Sequence, residues 1–418
     1  MERGHRRPNV LILTANANTL RSFCLSPEEI LVSPAVTPTV DRGKVRAIAH
    51  PGPVDVTALV ASFPEDQKPD LVVVLGAPEV GQYARNLKGL SCRKALFSSD
   101  THHGYRPGFA PLVNMVDYAL EEGFDVVLSA YNRHHLPWFY ALGVPRVLFA
   151  PFFGHASRVH SPFRALEGKV AFIGQTGPHH PSRNLRLDRC ARTLGEDFSV
   201  YNTLGQVDPE GAAAVLYNSH AVSLNFACNN DLTWRNVEIL SAGGVLLTEE
   251  LPAGQGLSDL LPVGEVALTF TTPEDAAEKA RWLLAHEVER QALRLRGHRY
   301  YLDHFTPERI GQDLIERIMG KEKEDIAKLP FSGASARAAL TLFEALSEWH
   351  WRQAEPIIAL DPELPAALKG LSGMFNRGRF VELTPDAPVL PWSGLFCRQR
   401  NQDALRLRVG DVPTLSVA

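Results

Sequence analysis

Features that would place the chain in a membrane, outside the cell or on a polyanion are missing from its sequence. No apolar run approaches the roughly 20 residues that a membrane-spanning helix requires, and residues 1–7 lead into a predicted strand without the apolar core of a signal peptide. The 5 cysteines are odd in number and widely spaced, which excludes a disulfide framework and the usual zinc spacings. The net charge of −4 indicates no surface for nucleic acid. We therefore expect a cytoplasmic protein with reduced thiols and no membrane span.

The first 150 of the 418 residues have the pattern of a doubly wound α/β domain. Apolar runs without internal alternation, typical of strands buried on both faces of a parallel sheet, recur between segments of helix length. Ligands of such sheets bind at the carboxyl ends of the strands. Strands are predicted at 10–13, 45–48, 71–75, 95–97, 126–128 and 147–149, and helices at 54–63, 78–87, 112–121 and 133–142.

The loop after the strand at 95–97 has the polar residues best suited to catalysis. Asp100 is followed by His102 and His103, and a carboxylate with an imidazole can move protons near neutral pH. The alternative is an ordinary polar loop in which Asp100 caps the next turn. Histidine doublets at 134–135 and 179–180 are poor evidence for a metal site, because adjacent side chains diverge. We take Asp100, His102 and His103 as catalytic candidates and expect no bound metal.

Residues 150–156, with proline, glycine and aromatic side chains, indicate a linker, after which the α/β pattern begins again. Strands are predicted at 170–173, 198–201, 221–226, 245–248 and 266–270. Gly174 ends the first of them, where the missing side chain lets a phosphate approach the backbone, and Arg183 on the next helix can reach the same anion. Thr272-Pro273 and Thr306-Pro307 each place a capping hydroxyl before a proline and predict helix starts.

Residues 229–250 are the stretch around which the second half is organised. They form, in order, a polar turn that can cap a helix, a short helix, a glycine pair and a buried strand. Helix N-terminal amides and an arginine fork suit an anion, and a glutamate one turn later can accept hydrogen bonds from vicinal hydroxyls. The alternative is a capped helix with an outward salt bridge. The candidate binding residues here are Asn230, Asp231, Arg235, Glu238, Gly243 and Gly244.

The sequence resembles glycosyltransferases of the two-domain GT-B type over about residues 8–320. In particular it is similar to the CgeB-like group of spore-maturation proteins, which is related to the family-4 glycosyltransferases. The similarity is most specific at residues 172–174 with the arginine-bearing helix after them, at 231–235 and at 238–249; the strands at 68–74 and 124–128 also resemble the family. The resemblance implies an α/β protein of GT-B architecture, with two Rossmann-like doubly wound domains facing a cleft.

The resemblance also implies roles for the two halves of the chain. Residues 1–150 would form the N-terminal acceptor domain and residues 151–320 the C-terminal nucleotide-sugar domain. Glu238 would hold the donor ribose hydroxyls, while Arg235 and the Gly174 loop would meet the diphosphate. The His102 and His103 loop lies where related enzymes present a histidine near the transferred sugar. The sequence departs from the family at Asn230, where family-4 enzymes usually have a second glutamate.

Residues 321–418 change in character. A charged segment at 321–325 precedes two predicted helices, at 335–346 and 349–360, and residues 361–368 resemble the junction of a tetratricopeptide-type repeat. We therefore expect a small helical, TPR-like C-terminal extension. It would serve either as a cap on the enzyme or as a surface for a protein partner at residues 325–418.

The predicted function is that of a metal-independent glycosyltransferase of the hexosyltransferase type. It would move a sugar from a nucleotide-diphosphate sugar, with a UDP-sugar as the expected donor and no cofactor, to a hydroxyl of an acceptor glycan or protein. Asp100 or His103 would be the base if the reaction inverts configuration, and would position the sugar if it retains it. Two alternatives stay open: a non-catalytic GT-B-like module that binds sugar or nucleotide and acts through its helical tail, and a nucleotide-sugar epimerase.

Overall fold

The structure is a computed structural model, and it describes the chain in segments. The described residues are 7–15, 29–34, 46–76, 83–98, 101, 111–129, 133–150, 167–176, 181–202, 212–227, 232–251, 256–321, 326, 328–329, 332–337, 339–340, 357–360, 381–382 and 404–407. Contacts divide the chain into two compact units, one of Met1–Ala150 with Gly311–Ala418 and one of Pro151–Ile310. None of the described helices is both long and apolar enough to cross a membrane.

A seven-stranded parallel sheet forms the centre of the first unit. Its strands are β1 (Val10–Thr14), β2 (Glu29–Ser33), β3 (Arg46–Ala49), β5 (Leu71–Gly76), β7 (Arg93–Ser98), β8 (Val126–Ser129) and β9 (Arg146–Phe149). They lie in the order β3-β2-β1-β5-β7-β8-β9. Every residue of β5 is buried, as expected for a strand whose two faces are both covered. The sequence predicted this sheet, but not strand β2.

The helices of the first unit are α1 (Val56–Ala61), α2 (Pro111–Glu121) and α3 (Leu136–Ala141). The helix predicted at 78–87 is wrong for its described part, because Ala84–Arg85 is a short strand, β6, paired with β4 (Val54–Asp55). The next residue, Asn86, has a φ of 62°, a left-handed conformation that asparagine tolerates but a helix does not. Its side chain donates to Asp55, which also accepts the Ala58 amide at the start of α1.

The second unit is built on a five-stranded parallel sheet. Its strands are β10 (Glu167–Gly174), β11 (Phe198–Asn202), β12 (His220–Asn225), β13 (Leu246–Glu249) and β14 (Leu268–Phe270), in the order β11-β10-β12-β13-β14. Three aromatic rings from neighbouring strand ends pack on one another: the Phe226 centroid lies 6.3 Å from that of Phe172 and 5.0 Å from that of Phe270. The predicted strands are confirmed.

The helices of this unit are α4 (Pro181–Leu194), α5 (Ala212–Ser219), α6 (Arg235–Ser241), α7 (Leu257–Leu260), α8 (Pro273–Ala285) and α9 (Glu287–His304). The next helix, α10 (Pro307–Met319), belongs to the first unit from Gly311 onwards. The predicted start of α8 is confirmed, since the Thr272 side chain accepts a hydrogen bond from the Asp275 amide at 3.1 Å. The sequence did not predict α9, which follows α8 almost without a break.

Nitrogen-bearing side chains bind the last carbonyl groups of four helices in this unit. A helix C-terminus has unpaired carbonyls and a partial negative charge, so a donor there stabilises it. Burial lowers the pKa of Arg294 to about 10, and its hydrogen bond to a helix end offsets part of that cost. The pairs are Arg281 with the Thr193 carbonyl (α4), Arg294 with that of Asn218 (α5), His298 with that of Leu240 (α6) and Arg290 with those of Leu283 and Leu284 (α8).

The same arrangement holds the end of α10 within the first unit. Arg146, at the start of β9, donates to the carbonyls of Arg317, Ile318 and Gly320 at 3.0, 3.1 and 2.8 Å. In return Arg317 donates to the Phe149 carbonyl at 2.9 Å. The end of α10 is therefore fastened to the edge strand of the first sheet.

The tail differs from the helical extension that the sequence predicted. Residues 357–360, expected to end a helix, form strand β15 (Ile357–Leu360), which pairs in parallel with β16 (Val381–Glu382) and β17 (Ala404–Leu407). Isoleucine at 357 and 358 favours a strand over a helix. Of the helix predicted at 335–346, residues 335–337 and 339–340 are helical. The resemblance to a tetratricopeptide junction at 361–368 lies outside the described residues.

Replacement of Arg146 by methionine should loosen the end of α10. The variant loses hydrogen bonds to three carbonyls at the C-terminus of that helix, and we expect the free energy of unfolding to fall by about 2–4 kcal/mol. Urea unfolding measures the loss, and limited proteolysis should cut earlier near residue 320. The control is Arg299→Met, whose side chain is 76% exposed. Equal stability of the two variants would contradict the role of Arg146.

Candidate functional site

A guanidinium group lies against the glycine that ends β10. A Cβ atom built on Gly174 would lie 2.7 Å from Nη1 of Arg235 and 2.9 Å from Cζ of Phe172. The Arg235 guanidinium also lies over the Phe172 ring, 5.3 Å from its centroid. The sequence predicted that Gly174 and Arg235 would belong to one site, and the structure brings them together.

A second arginine approaches the same ring. Arg183, buried near the start of α4, lies 5.7 Å from the Phe172 centroid and donates to the carbonyl of Gln175 at 3.0 Å. Phe172 therefore contacts two guanidinium groups at the carboxyl end of β10. A cation over an aromatic face is attracted by the ring quadrupole, and two of them beside a glycine create a concentrated positive charge.

The Arg235 side chain is held from behind by a buried amide. Its Nε donates to Oδ1 of Asn225, the last residue of β12, at 2.9 Å, and its Nη2 lies 3.4 Å from the Phe226 carbonyl. Burial lowers the pKa of Arg235, while the charge of Glu238 opposes that change. Among the described residues Nη1 has no hydrogen-bond partner, so this nitrogen is available to a ligand. The sequence analysis did not single out Asn225, although its place at a strand end was a signal.

A buried ion pair fixes the backbone where β12 leads into the next loop. Arg186 of α4 pairs with Glu249 at the end of β13, and both are buried. Arg186 donates to the carbonyl of Ala227 at 3.1 Å, and Glu249 accepts the amide of the same residue at 3.0 Å. The two side chains thereby hold both polar groups of Ala227, directly before the segment that contains Asn230 and Asp231.

Helix α6 carries the predicted arginine and glutamate, but its start differs from the prediction. Trp234 precedes the helix and makes no side-chain cap, and α6 has only 7 residues. The hydroxyl of Thr233 donates to Asn225 instead of capping the helix. Positive charge at this end therefore comes mainly from arginine side chains rather than from a capped helix terminus. Glu238 is partly exposed one turn after Arg235 and can accept hydrogen bonds from a ligand.

Gly243 and Gly244 lie at the opposite end of α6 from Arg235. Gly243 has a φ of 71°, which ends the helix, and a Cβ on Gly244 would lie 2.9 Å from the Tyr217 carbonyl oxygen. Both glycines are buried. We therefore assign them to packing and leave them out of the proposed binding site.

Five candidate residues lie outside the described residues: Asp100, His102, His103, Asn230 and Asp231. Their neighbour Thr101 is described and buried, with its Oγ1 2.6 Å from Nδ1 of His135, which is also buried. From the sequence, His135 was considered only as part of a histidine doublet, and its pairing with Thr101 was not predicted. No group of three or more potential metal ligands is found in the described part of the chain.

The span that holds these side chains matches a known family. Residues 167–316 match the family model described as Glycosyl transferase-like. The match covers 150 of the 418 residues. Gly174, Arg183, Arg235 and Glu238 all lie within the matched span. No curated protein matches the sequence.

Solved structures establish the fold of the chain. A glycosyltransferase from Rickettsia africae ESF-5 is 8% identical over 76% of this chain and 100% of its own, with a TM-score of 0.51. HepE from Anabaena, in complex with UDP and glucose, is 10% identical over 75% of this chain and 100% of its own, also with a TM-score of 0.51. TarM is 11% identical over 63% of this chain, which spans 58% of TarM, with a TM-score of 0.43. Together with the two parallel sheets, the first two likenesses show the predicted α/β fold of GT-B type.

Replacement of Gly174 by alanine tests whether this glycine makes room for the guanidinium. The new methyl group would overlap Arg235 and Phe172, so we expect the free energy of unfolding to fall by about 1–3 kcal/mol. Urea unfolding measures this change. The matched control is Gly168→Ala in the same strand, where no atom lies within 4 Å of the added carbon. An equal change in both variants would show that the Gly174 contact is unimportant.

Proposed function

We propose that the protein is a metal-independent glycosyltransferase of the hexosyltransferase type, which uses a UDP-sugar as donor and a hydroxyl of a glycan or protein as acceptor. No other cofactor is needed for this chemistry, and we place the activity in the cytoplasm. The proposal is supported by the match of residues 167–316 to a Glycosyl transferase-like family and by the likeness of the fold to that of HepE, which was crystallised with UDP and glucose.

The observation that carries the proposal is the pair of guanidinium groups beside Gly174. A departing nucleoside diphosphate gains negative charge as the bond from the sugar to its β-phosphate breaks, and fixed cations lower the energy of that state. Arg235 offers Nη1 at the carboxyl end of β10, and Arg183 adds a second positive charge at the same ring. Two arginines can supply the charge that a divalent cation supplies in metal-dependent enzymes.

The remaining binding residues complete the donor site in this proposal. Glu238 accepts hydrogen bonds from the ribose hydroxyls, one helical turn from Arg235. Asn230 and Asp231 follow Ala227 in the sequence, the residue that Arg186 and Glu249 hold, and we assign them to the donor sugar or its phosphates. Residues 151–320 act as the nucleotide-sugar domain, residues 1–150 as the acceptor domain and residues 321–418 as an extension, with 325–418 as the place for any protein partner.

Catalysis in this scheme is a displacement at the anomeric carbon. The acceptor oxygen forms the new bond to that carbon, the diphosphate leaves with the bonding electrons, and the hydroxyl proton passes to a base. Asp100 or His103 takes that proton if the configuration inverts. If it is retained, the acceptor oxygen attacks from the face of the leaving diphosphate, a phosphate oxygen takes the proton, and Asp100, His102 and His103 position the sugar. Thr101, which stands between Asp100 and His102 in the sequence, is hydrogen-bonded to His135.

A thermal-shift panel with UDP, GDP, CDP, TDP and ADP tests the donor site. We expect UDP to stabilise the protein with EDTA as well as with magnesium, by about 2.7 kcal/mol at a hundredfold of its dissociation constant. Release of UDP from UDP-hexoses, followed by chromatography, then tests catalysis. If the protein binds UDP but releases no UDP from UDP-hexoses, even with acceptor glycans present, the non-catalytic binding module is favoured. No stabilisation by any diphosphate would contradict the donor site.

Replacement of Glu238 by alanine should remove the preference for a ligand with ribose over one with 2′-deoxyribose. We expect wild-type protein to bind UDP at least about tenfold more tightly than 2′-deoxy-UDP, since the carboxylate loses a hydrogen-bond partner in the deoxy ligand. In the Glu238→Ala variant the two affinities should become nearly equal. Calorimetric titration of both ligands into both proteins gives the answer. An unchanged preference in the variant would remove Glu238 from the ribose site.

A further inference from the structure

We propose that Asn225 is a positioning residue that holds the Arg235 guanidinium ready for the diphosphate of the donor. The inference rests on the proposed function, because it explains how Arg235 is oriented toward the diphosphate. Asn225 contacts no part of the ligand in this proposal. It acts through its hydrogen bond to Nε of Arg235.

All the hydrogen-bonding capacity of the Asn225 side chain is used. Its Oδ1 accepts from Thr233 Oγ1 and Arg235 Nε, each at 2.9 Å. Its Nδ2 donates to Asn236 Oδ1 at 2.8 Å and to Thr248 Oγ1 at 2.9 Å. An asparagine amide has two acceptor sites and two donors, so no further group can be served. The network is buried and complete, which favours a single arrangement.

The chemistry of arginine fixes the orientation of this amide. Nε of Arg235 is always a donor, so the oxygen of Asn225 must face it, and the nitrogen must face the opposite side. There Thr248 accepts one hydrogen bond from Asn225 and donates its own proton to Asn236 at 2.9 Å. Thr248 is paired with Asn225 across β13 and β12. The strand register therefore sets the direction from which Arg235 is held.

As a consequence, the Nε end of the Arg235 guanidinium is bound by protein, and its Nη1 end is available to a ligand. Nε is held by Asn225, Phe172 covers one face, and Nη1 lies at the Gly174 end of β10. Ordering a long arginine side chain costs conformational entropy. Because the network orders it before the ligand arrives, binding avoids that cost. Loss of Asn225 should weaken contacts to phosphate while leaving those to the nucleoside intact.

The test compares the dissociation constants of UDP and uridine, because their ratio isolates the contribution of the phosphates. Two variants are used: Asn225→Ala removes the amide, and Asn225→Asp keeps the size but places a carboxylate beside Arg235. We expect the ratio of uridine to UDP dissociation constants to fall at least about tenfold in both. The affinity for uridine should change less than about threefold. The UDP affinity of the Asn225→Asp protein should also depend less on salt.

The control is Asn218→Ala, which removes another fully buried asparagine of the same unit. Its Nδ2 donates to the Ala242 carbonyl at 2.8 Å, so this variant also loses a buried hydrogen bond. In this control the ratio of uridine to UDP dissociation constants should stay at the wild-type value. A fall of this ratio in an Asn225 variant, without a fall in the control, is not explained by destabilisation alone. If Asn225→Ala does not fold, Asn225→Ser, whose side chain is too short to keep the hydrogen bond to Nε of Arg235, is measured in its place.

The outcomes separate this inference from the proposed function. If wild-type protein prefers UDP over uridine and both Asn225 variants keep that preference, Asn225 does not position Arg235, while the donor site stands. If wild-type protein shows no preference for UDP over uridine, the diphosphate site itself is wrong. A fall of the ratio in the Asn225 variants and in the control alike would assign Asn225 to general stability.

Discussion

Partial burial of the Arg235 guanidinium is the constraint on which the described site depends. A cation taken out of water requires compensation, and here it comes from an aromatic face, an amide oxygen and the charge of Glu238 rather than from a dedicated carboxylate partner. The strand ends supply these groups: Phe172 and Gly174 from β10, and Asn225 from β12. Without the glycine there would be no room for the guanidinium, and without the amide it would have no fixed direction.

The same solution to buried positive charge recurs through the protein. Arginines in both units bind backbone carbonyls at helix ends, where the partial negative charge replaces a carboxylate. Arg146 fastens the last helix to the first sheet in this way, and Arg290 and Arg294 fasten α9 to α8 and α5. Arg186 is different, because a buried glutamate pairs with it and both hold Ala227. The proposed binding residues are thus held by helices and strands whose buried arginines already have partners.

The sequence predicted the two parallel sheets and the meeting of Gly174 with Arg235, because unbroken apolar runs and strand-end polar residues follow directly from the geometry of α/β folds. It missed strand β2. It also missed the left-handed Asn86, where local turn chemistry overrides a helical pattern. It also assigned Gly243 and Gly244 to binding, since spacing alone does not show which end of a helix faces a ligand. The support from Asn225 and Thr248 depends on strand register, which periodicity does not reveal.

The most direct measurement is a crystal structure of the protein with UDP bound. The account predicts the β-phosphate within hydrogen-bond distance of Nη1 of Arg235, at the Gly174 end of β10, with Arg183 nearby and the ribose hydroxyls on Glu238. Asn225 should keep its hydrogen bond to Arg235 in that complex. A diphosphate bound elsewhere, or bound here without contact to Arg235, would contradict the central claim that this partly buried guanidinium is the anion-binding group of the site.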